Sequence, residues 1–144
     1  MPGNRTGELT MAAKTVAEKL VIKPGNAVWV SHPDRAGLLG ALPEGAEVTE
    51  SPGEADAAVV FADDAASVRA AFVKDERALT TRAVLWVAYP KANRTDVNRD
   101  SLWPILADFG LRPVSQVAVD EVWSALRFRP LKAGEEFGGA KAKA

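Results

Sequence analysis

A continuous apolar run, residues 83–91 with the sequence AVLWVAYPK, constrains the fold of this chain more than any other segment. The run ends at Tyr89-Pro90-Lys91 and lacks the polar alternation of a strand with one solvated face. A strand that is apolar on both faces belongs to a sheet covered on both sides, as parallel sheets in α/β proteins are. Ligand sites in such sheets lie beyond the carboxyl ends of the strands, so the residues that follow each strand become the candidates.

Strand and helix patterns alternate along the rest of the chain, with Gly and Pro residues between them. Period-two alternation on both sides of Asp120-Glu121 predicts an antiparallel hairpin at one edge of the sheet. Taking Ser101 as the N-cap of the last helix places Pro104 in its first turn, where the missing N–H costs little. The predicted strands are 27–30, 46–49, 57–62, 83–89, 117–119 and 122–129, and the predicted helices are 11–22, 34–42, 63–79 and 102–109.

These patterns predict a single α/β domain of three layers, with a mostly parallel sheet, helices on both faces and a C-terminal antiparallel hairpin. A length of 144 residues suits one hydrophobic core. The domain is predicted to span residues 11–131. The polar or aperiodic segments 1–10 and 132–144 are predicted to be flexible tails.

Composition argues against several classes of protein. The chain carries 18 basic and 19 acidic residues, so no overall field attracts it to nucleic acid or anionic lipid. No apolar run approaches the about 20 residues of a membrane span, and the N-terminus lacks the apolar core of a signal peptide. We therefore expect a cytoplasmic protein without a membrane partner. Cysteine is absent, which removes disulfides, thiolate nucleophiles and cysteine-ligated zinc.

Four segments together resemble class I S-adenosylmethionine-dependent methyltransferases: Lys23-Pro24-Gly25 before the first strand, residues 85–91, the helix end at Phe109-Gly110-Leu111, and the terminal hairpin. Residues 85–91 with 122–128 are more closely similar to a small bacterial family of domains of unknown function that has a shortened version of that core. The resemblance covers about residues 21–130. It implies a Rossmann-like fold with strand order 2-1-3-4-6-5, and it brings no established catalytic residues.

The turn after the first strand departs from the methyltransferase pattern. A glycine-rich turn there lets the backbone approach the cofactor, whereas this chain has Ser31-His32-Pro33-Asp34. Proline removes an amide donor and aspartate adds a negative charge at the start of a helix, and both oppose the binding of an anionic cofactor. The third strand and helix of the full fold are also missing. The sequence therefore predicts a minimal domain whose cofactor site is lost or remodelled.

Four side chains that follow predicted strands are the candidates for ligand binding: His32, Glu50, Asp63 and Lys91. Because the carboxyl ends of parallel strands meet at one edge, we expect these residues on the same side of the sheet. Each also has a purely structural explanation, namely turn chemistry for Glu50, helix capping for Asp63 and the neighbouring proline for His32. No spacing typical of a metal site or of a nucleophile and base occurs, so we predict no metal ligands and no catalytic residues.

The last strand offers a different candidate surface. If Val122, Ser124, Leu126 and Phe128 face the core, then Trp123, Arg127 and Arg129 share the other face, and Trp and Arg are typical anchors of protein interfaces. The alternative is that a helix covers that face and the arginine stems pack over a buried Trp123.

The preferred hypothesis is a non-catalytic binding or regulatory domain that contacts a protein partner or a second copy of itself and needs no cofactor. The alternative is an S-adenosylmethionine or nucleotide binder with a remodelled pocket, an enzyme included. The two differ in whether the turn at residues 31–34 leaves a cleft beneath Glu50 and Asp63.

Overall fold

A computed structural model describes residues 15–81, 84–92 and 94–131, and the backbone of 136–137 and 140–141. The predicted tail 1–10, the start of the first predicted helix and most of the predicted tail 132–144 lie outside the described residues. The strands are β1 Ala27–Val30, β2 Glu47–Thr49, β3 Ala57–Phe61, β4 Val84–Pro90, β5 Leu111–Ala118, β6 Trp123–Pro130, β7 Glu136–Phe137 and β8 Ala140–Lys141; the α-helices are α1 Val16–Lys19, α2 Ala65–Thr80 and α3 Arg99–Ala107, and the 3-10 helices are Pro33–Leu39 and Pro52–Glu54.

Six of these strands form one sheet in the order β2-β1-β3-β4-β6-β5. The first four strands pair in parallel, and β6 pairs antiparallel with both β4 and β5. The mostly parallel sheet, its C-terminal hairpin and the strand order 2-1-3-4-6-5 are therefore confirmed. Within the described ranges, no helix is long and apolar enough to cross a membrane.

The two central strands are buried on both faces, which confirms the three-layer arrangement. Every residue of β3 is buried, and so is every residue of β4 after Val84. Val60 and Val87 face one half of the core with α2 and α3. Val59 and Trp86 face the other half with α1 and the first 3-10 helix. The continuous apolar run of the sequence thus corresponds to a strand with a helical layer on each side.

Polar side chains define the starts of the two longer helices. Asp64 caps α2, accepting a hydrogen bond from the Ser67 N–H. Asn98 caps α3 in the same way, so the prediction of Ser101 as N-cap is wrong. Ser101 is instead the third helical residue, and its hydroxyl oxygen accepts from the Asn98 N–H to complete a capping box. Pro104 consequently lies in the second turn of α3 rather than the first.

The edge strand β5 is longer than its sequence pattern predicts. It begins directly after Gly110, whose φ of 76° reverses the chain at the end of α3. A register shift between Pro113 and Ser115 interrupts its pairing with β6. Proline and a bulge are tolerated at a sheet edge, but they break the period-two pattern from which strands are predicted.

One buried hydrogen bond joins α1 to the centre of the sheet. The indole Nε1 of Trp86 donates to the main-chain carbonyl of Leu20 over 2.8 Å, and both residues are buried. Leu20 follows the last turn of α1, where Val21 adopts the left-handed conformation and Ile22 N–H donates back to the Ala17 carbonyl. The indole therefore positions the end of α1 against β4.

Replacing Trp86 with Phe tests this connection. We expect Trp86→Phe to lower the free energy of unfolding by about 2–4 kcal/mol, because it leaves both a cavity and an unpaired carbonyl. Urea unfolding followed by far-UV circular dichroism measures the change. Trp103→Phe is the matched control; Trp103 is 39% exposed on α3, and we expect a loss below about 1 kcal/mol. Equal losses in the two variants would show that the indole hydrogen bond contributes little.

Candidate functional site

Two of the four predicted ligand-binding residues meet at the point where the order of the strands in the sheet reverses. The chain leaves β1 toward β2 on one side and returns to β3 on the other, so the carboxyl ends of β1 and β3 flank a topological switch point. His32 follows β1 and Asp63 follows β3, and the His32 Nε2 lies 3.9 Å from the Asp63 Oδ2. This is the position at which open α/β sheets bind their ligands.

The other two predicted residues lie apart from this pair. Glu50 follows the edge strand β2, is exposed, and makes no hydrogen bond or ion pair with any residue that the structure describes. Lys91 follows β4, and its ammonium group donates to the main-chain carbonyl of Asp120 in the hairpin turn. The sheet thus places all four residues at one edge but brings only His32 and Asp63 together.

Arg35, which the sequence analysis did not single out as a site residue, makes the central contacts at the switch point. Its Nη2 lies 3.0 Å from one carboxylate oxygen of Asp63 and 3.3 Å from the other. Its guanidinium carbon lies 5.1 Å from the ring centroid of Trp123 and 5.9 Å from that of Phe61. The two rings meet edge to face at 5.4 Å. We call His32, Arg35, Phe61, Asp63 and Trp123 the switch-point cluster.

Ser31 anchors the turn that carries His32. The Ser31 Oγ accepts a hydrogen bond from the Phe61 N–H at 2.7 Å and lies 2.8 Å from the His32 Nδ1, to which its hydroxyl can donate. The Ser31 hydroxyl therefore extends the pairing of β1 with β3 by one step. Serine, histidine and an aspartate are close together here, yet Asp63 pairs with Arg35 and stays beyond hydrogen-bond distance of the imidazole.

The turn after β1 lacks the glycine-rich sequence of nucleotide-binding α/β domains. Pro33 begins the 3-10 helix and has no N–H to offer a ligand. The Arg35 Nη1 is buried without a hydrogen-bond partner among the described residues, while 25% of the Arg35 side chain is exposed. The turn after β1 therefore presents a guanidinium that is already paired with a carboxylate.

The three residues predicted to contact a partner are spread along β6. Trp123 pairs with Pro90 at the carboxyl edge and belongs to the switch-point cluster. Arg127 pairs with Trp86, four residues further along the strand. The Arg129 Nη1 donates to the Pro130 carbonyl. The three residues thus share one face of β6, and Trp123 contacts Arg35 and Phe61 of its own chain. Their contact with a partner stays a prediction.

A polar cleft opens at the same edge of the sheet, between the end of β4 and the hairpin. It has a volume of about 470 Å³. The Gln116 Nε2 donates to the Tyr89 hydroxyl at 2.8 Å and to the Ser124 hydroxyl at 3.2 Å. We call it the hairpin cleft, and it is lined by Tyr89, Lys91, Ala92, Gln116, Ala118 and Ser124.

The sequence indicated only Lys91 among the lining residues of the hairpin cleft. Tyr89 and Ser124 belong to segments that read as buried strands, and Gln116 precedes the part of β5 with recognisable alternation. Only the pairing of β4 and β5 with β6 brings the three together.

Ala92 contributes a further feature to the hairpin cleft. Its φ is 63°, which is an unfavourable backbone conformation for alanine. Such strained positions are common at ligand sites.

Fold and site together define the class: the protein is a Rossmann-like α/β domain. A solved structure described as a protein in the NADB-Rossmann superfamily from Streptococcus agalactiae is similar to it. The TM-score is 0.52 at 10% sequence identity, over 92% of this chain and 71% of that one. No family model matches the sequence, and no curated protein matches it significantly.

The contact between Arg35 and Trp123 predicts a measurable coupling. In a double-mutant cycle of Arg35→Met and Trp123→Leu, we expect a coupling of about 0.5–1 kcal/mol in the free energy of unfolding, from the cation–π contact. Urea denaturation of the four proteins measures it. The matched cycle is Arg69→Met with Asp108→Asn, an exposed ion pair expected to couple by less than about 0.5 kcal/mol. A coupling near zero for Arg35 and Trp123 would refute an energetic role for the cluster.

The strained backbone at Ala92 predicts a stabilising substitution. Ala92→Gly removes a cost of about 1–2 kcal/mol for the left-handed conformation and adds about 0.5–1 kcal/mol of chain entropy, so we expect a net gain of about 0.5–1 kcal/mol. Thermal and urea unfolding measure it. The same substitution at Ala70, exposed within α2, is expected to destabilise by about 1 kcal/mol. A loss of stability at both positions would contradict strain at Ala92.

Proposed function

We propose that the protein is a non-catalytic binding or regulatory domain on a degenerate Rossmann-like scaffold, of the shortened methyltransferase-like type. The observation that carries the proposal is the switch-point cluster. At the point where nucleotide-binding members of this fold class leave room for a cofactor, the chain has the side chain of Arg35, paired with Asp63 and stacked on Trp123.

The chemistry of the turn supports the same proposal. Dinucleotides and other anionic cofactors bind to backbone amides at a glycine-rich turn and a helix start. Here the turn contains Pro33, and the acidic Asp34 lies in the first turn of the 3-10 helix. The guanidinium of the switch-point cluster, that of Arg35, is already paired with a carboxylate. A phosphate or carboxylate ligand would have to displace Asp63 to reach it.

The proposed partner is another protein or a second copy of this chain. Large apolar side chains that are exposed among the described residues are single positions on separate elements, so none of them marks the contact surface by itself. They lie on β2, on both longer helices and on the hairpin, and they are Val48, Val73, Trp103, Val114 and Val122.

A second candidate function, binding of S-adenosylmethionine or a nucleotide in a remodelled pocket, is favoured by one observation. Glu50 is exposed directly after β2, where an acidic side chain can contact a ribose, and it is not committed to another described residue. This candidate requires Arg35 to move when the ligand binds.

A thermal-shift titration separates the two candidates. The protein is titrated with S-adenosylmethionine, S-adenosylhomocysteine, NAD and ATP. We expect no dose-dependent shift, whereas a ligand at a hundred times its Kd would stabilise the fold by about 2.7 kcal/mol. A saturable shift that is lost in Glu50→Ala and retained in Glu54→Ala, an exposed acid of the same charge, would overturn the proposal in favour of the second candidate.

A further inference from the structure

We propose that the hairpin cleft binds a small organic acid, with the carboxylate on Lys91 and a neighbouring polar group on Tyr89 and Gln116. The proposal goes beyond the function proposed above and does not rest on it, because the cleft lies beside β4 and β6 rather than at the switch point between β1 and β3. It would give the domain a small-molecule ligand without a cofactor at the customary position.

The first step of the argument is the polar floor of the cleft. Tyr89 is 5% exposed and Ser124 is 4% exposed. Apart from tyrosine, Ser124 is the one buried polar residue in the part of the chain that the structure describes. Burying a hydroxyl costs free energy unless it is hydrogen-bonded. Both hydroxyls accept a hydrogen bond from Gln116, whose side chain is exposed, and the Ser124 hydroxyl also donates to the Val117 carbonyl at 3.3 Å. Phe in place of Tyr89 and Ala in place of Ser124 would fill nearly the same space and would need no hydrogen-bond partner. The two buried hydroxyls are therefore not required for packing.

The second step is the hydrogen-bonding capacity that remains in the cleft. In the described part of the chain, the Tyr89 hydroxyl has no acceptor for its proton and the Gln116 Oε1 has no donor. In this orientation the pair presents one donor, the Tyr89 O–H, and one acceptor, the Gln116 Oε1, to a ligand. Rotating the amide by 180° changes the donors, because Tyr89 O–H then donates to Oε1, both N–H groups of Gln116 become free and the phenol oxygen remains as an acceptor. Either orientation therefore offers a ligand at least one donor and one acceptor.

The third step is the charge at the rim. The Lys91 ammonium donates to a neutral carbonyl, and no carboxylate of a described residue lies within ion-pair distance of it. The nearby carboxylate of Asp120 accepts from the Val122 and Trp123 N–H groups instead. Arg99 and Asp100, which line the adjoining part of the cleft, pair with each other at 3.5 Å. Lys91 is therefore a cation without an ion-pair partner among the described residues, and its ammonium group can pair with the carboxylate of a ligand.

The fourth step is size. The cleft of about 470 Å³ lies within the usual range for small-molecule sites. An adjoining space of about 220 Å³ shares Tyr89, Ala92 and Gln116 with it and extends to the start of α3. A ligand larger than acetate, with a polar group a few bonds from its carboxylate, fits this volume.

The experiment is a titration of the ¹⁵N-labelled full chain followed by two-dimensional NMR. The probes are 4-hydroxybenzoate, glycolate and succinate, with 4-hydroxybenzamide as the neutral analogue of the first and phenyl phosphate as a dianion. We expect saturable shifts of the amide signals of Lys91, Gln116 and Ser124 with at least one acid. We expect 4-hydroxybenzamide and phenyl phosphate to bind at least tenfold more weakly than that acid.

Two variants and a control assign the binding to this cleft. We expect Lys91→Met to weaken binding at least tenfold and Tyr89→Phe, which keeps the buried ring, to weaken it three- to tenfold. Lys74→Met, the same change at an exposed position on α2, should alter Kd less than twofold. Amide spectra of the free variants establish that each is folded.

Several results would overturn the proposal. They are the absence of saturable shifts with every acid at 20 mM, equal effects of Lys91→Met and Lys74→Met, and tighter binding of phenyl phosphate than of any carboxylate. Acetyl-Gly-Gly with a free carboxyl end is a further probe. Tighter binding of this peptide than of the small acids supports a carboxylate site and identifies a chain terminus as its source, whereas weaker binding supports a free acid. The nucleotide titration above is independent of all these outcomes.

Discussion

The burial of β3 and β4 on both faces is the constraint on which the rest of the structure depends. Two adjacent parallel strands without a solvated face need a helical layer above and another below, and the chain supplies α2 and α3 on one side and α1 with the first 3-10 helix on the other. The indole N–H of Trp86 donates a hydrogen bond from the sheet to the carbonyl of Leu20 in the second of these layers, and it positions the end of α1. Because the strands run in parallel, the residues that follow them meet at one edge of the sheet.

That edge carries two arrangements with opposite properties. At the switch point, Arg35 forms an ion pair with Asp63 and stacks on Trp123. The charged and aromatic side chains there therefore contact one another within the chain. In the hairpin cleft, the Tyr89 hydroxyl, the Gln116 amide and the Lys91 ammonium group retain hydrogen-bonding capacity that no described residue uses. The difference arises from β6, which is antiparallel to β4 and brings Trp123 to one face of the sheet and Ser124 to the other. One strand therefore contributes both to the closed cluster and to the open cleft.

Much of the fold could be predicted from periodicity, and the errors have local causes. The start of α2 at Asp64 followed from its acidic residues, but Asn98, Asp100 and Ser101 are all of residue types that cap helices, and only the observed capping box selects Asn98. β5 was predicted only near Val117 because Pro113 and the bulge beside it disrupt alternation. His32 and Asp63 could be placed at one edge by strand order alone. Arg35, Gln116 and Ser124 could not, because their partners lie 28, 27 and 8 positions away in sequence.

The sequence by itself determined the fold class and the edge at which a site could form, and its resemblance to the shortened methyltransferase core implied the order of the strands. Apolar runs and turn residues are local signals, and they are sufficient to define strands, helices and which strand ends share an edge. Only the tertiary structure decided that Arg35, Asp63 and Trp123 meet at the switch point and that a polar cleft opens at the same edge of the sheet. Both depend on side chains from separate elements meeting at distances of about 3–5 Å, and such contacts leave no periodic signal in the chain.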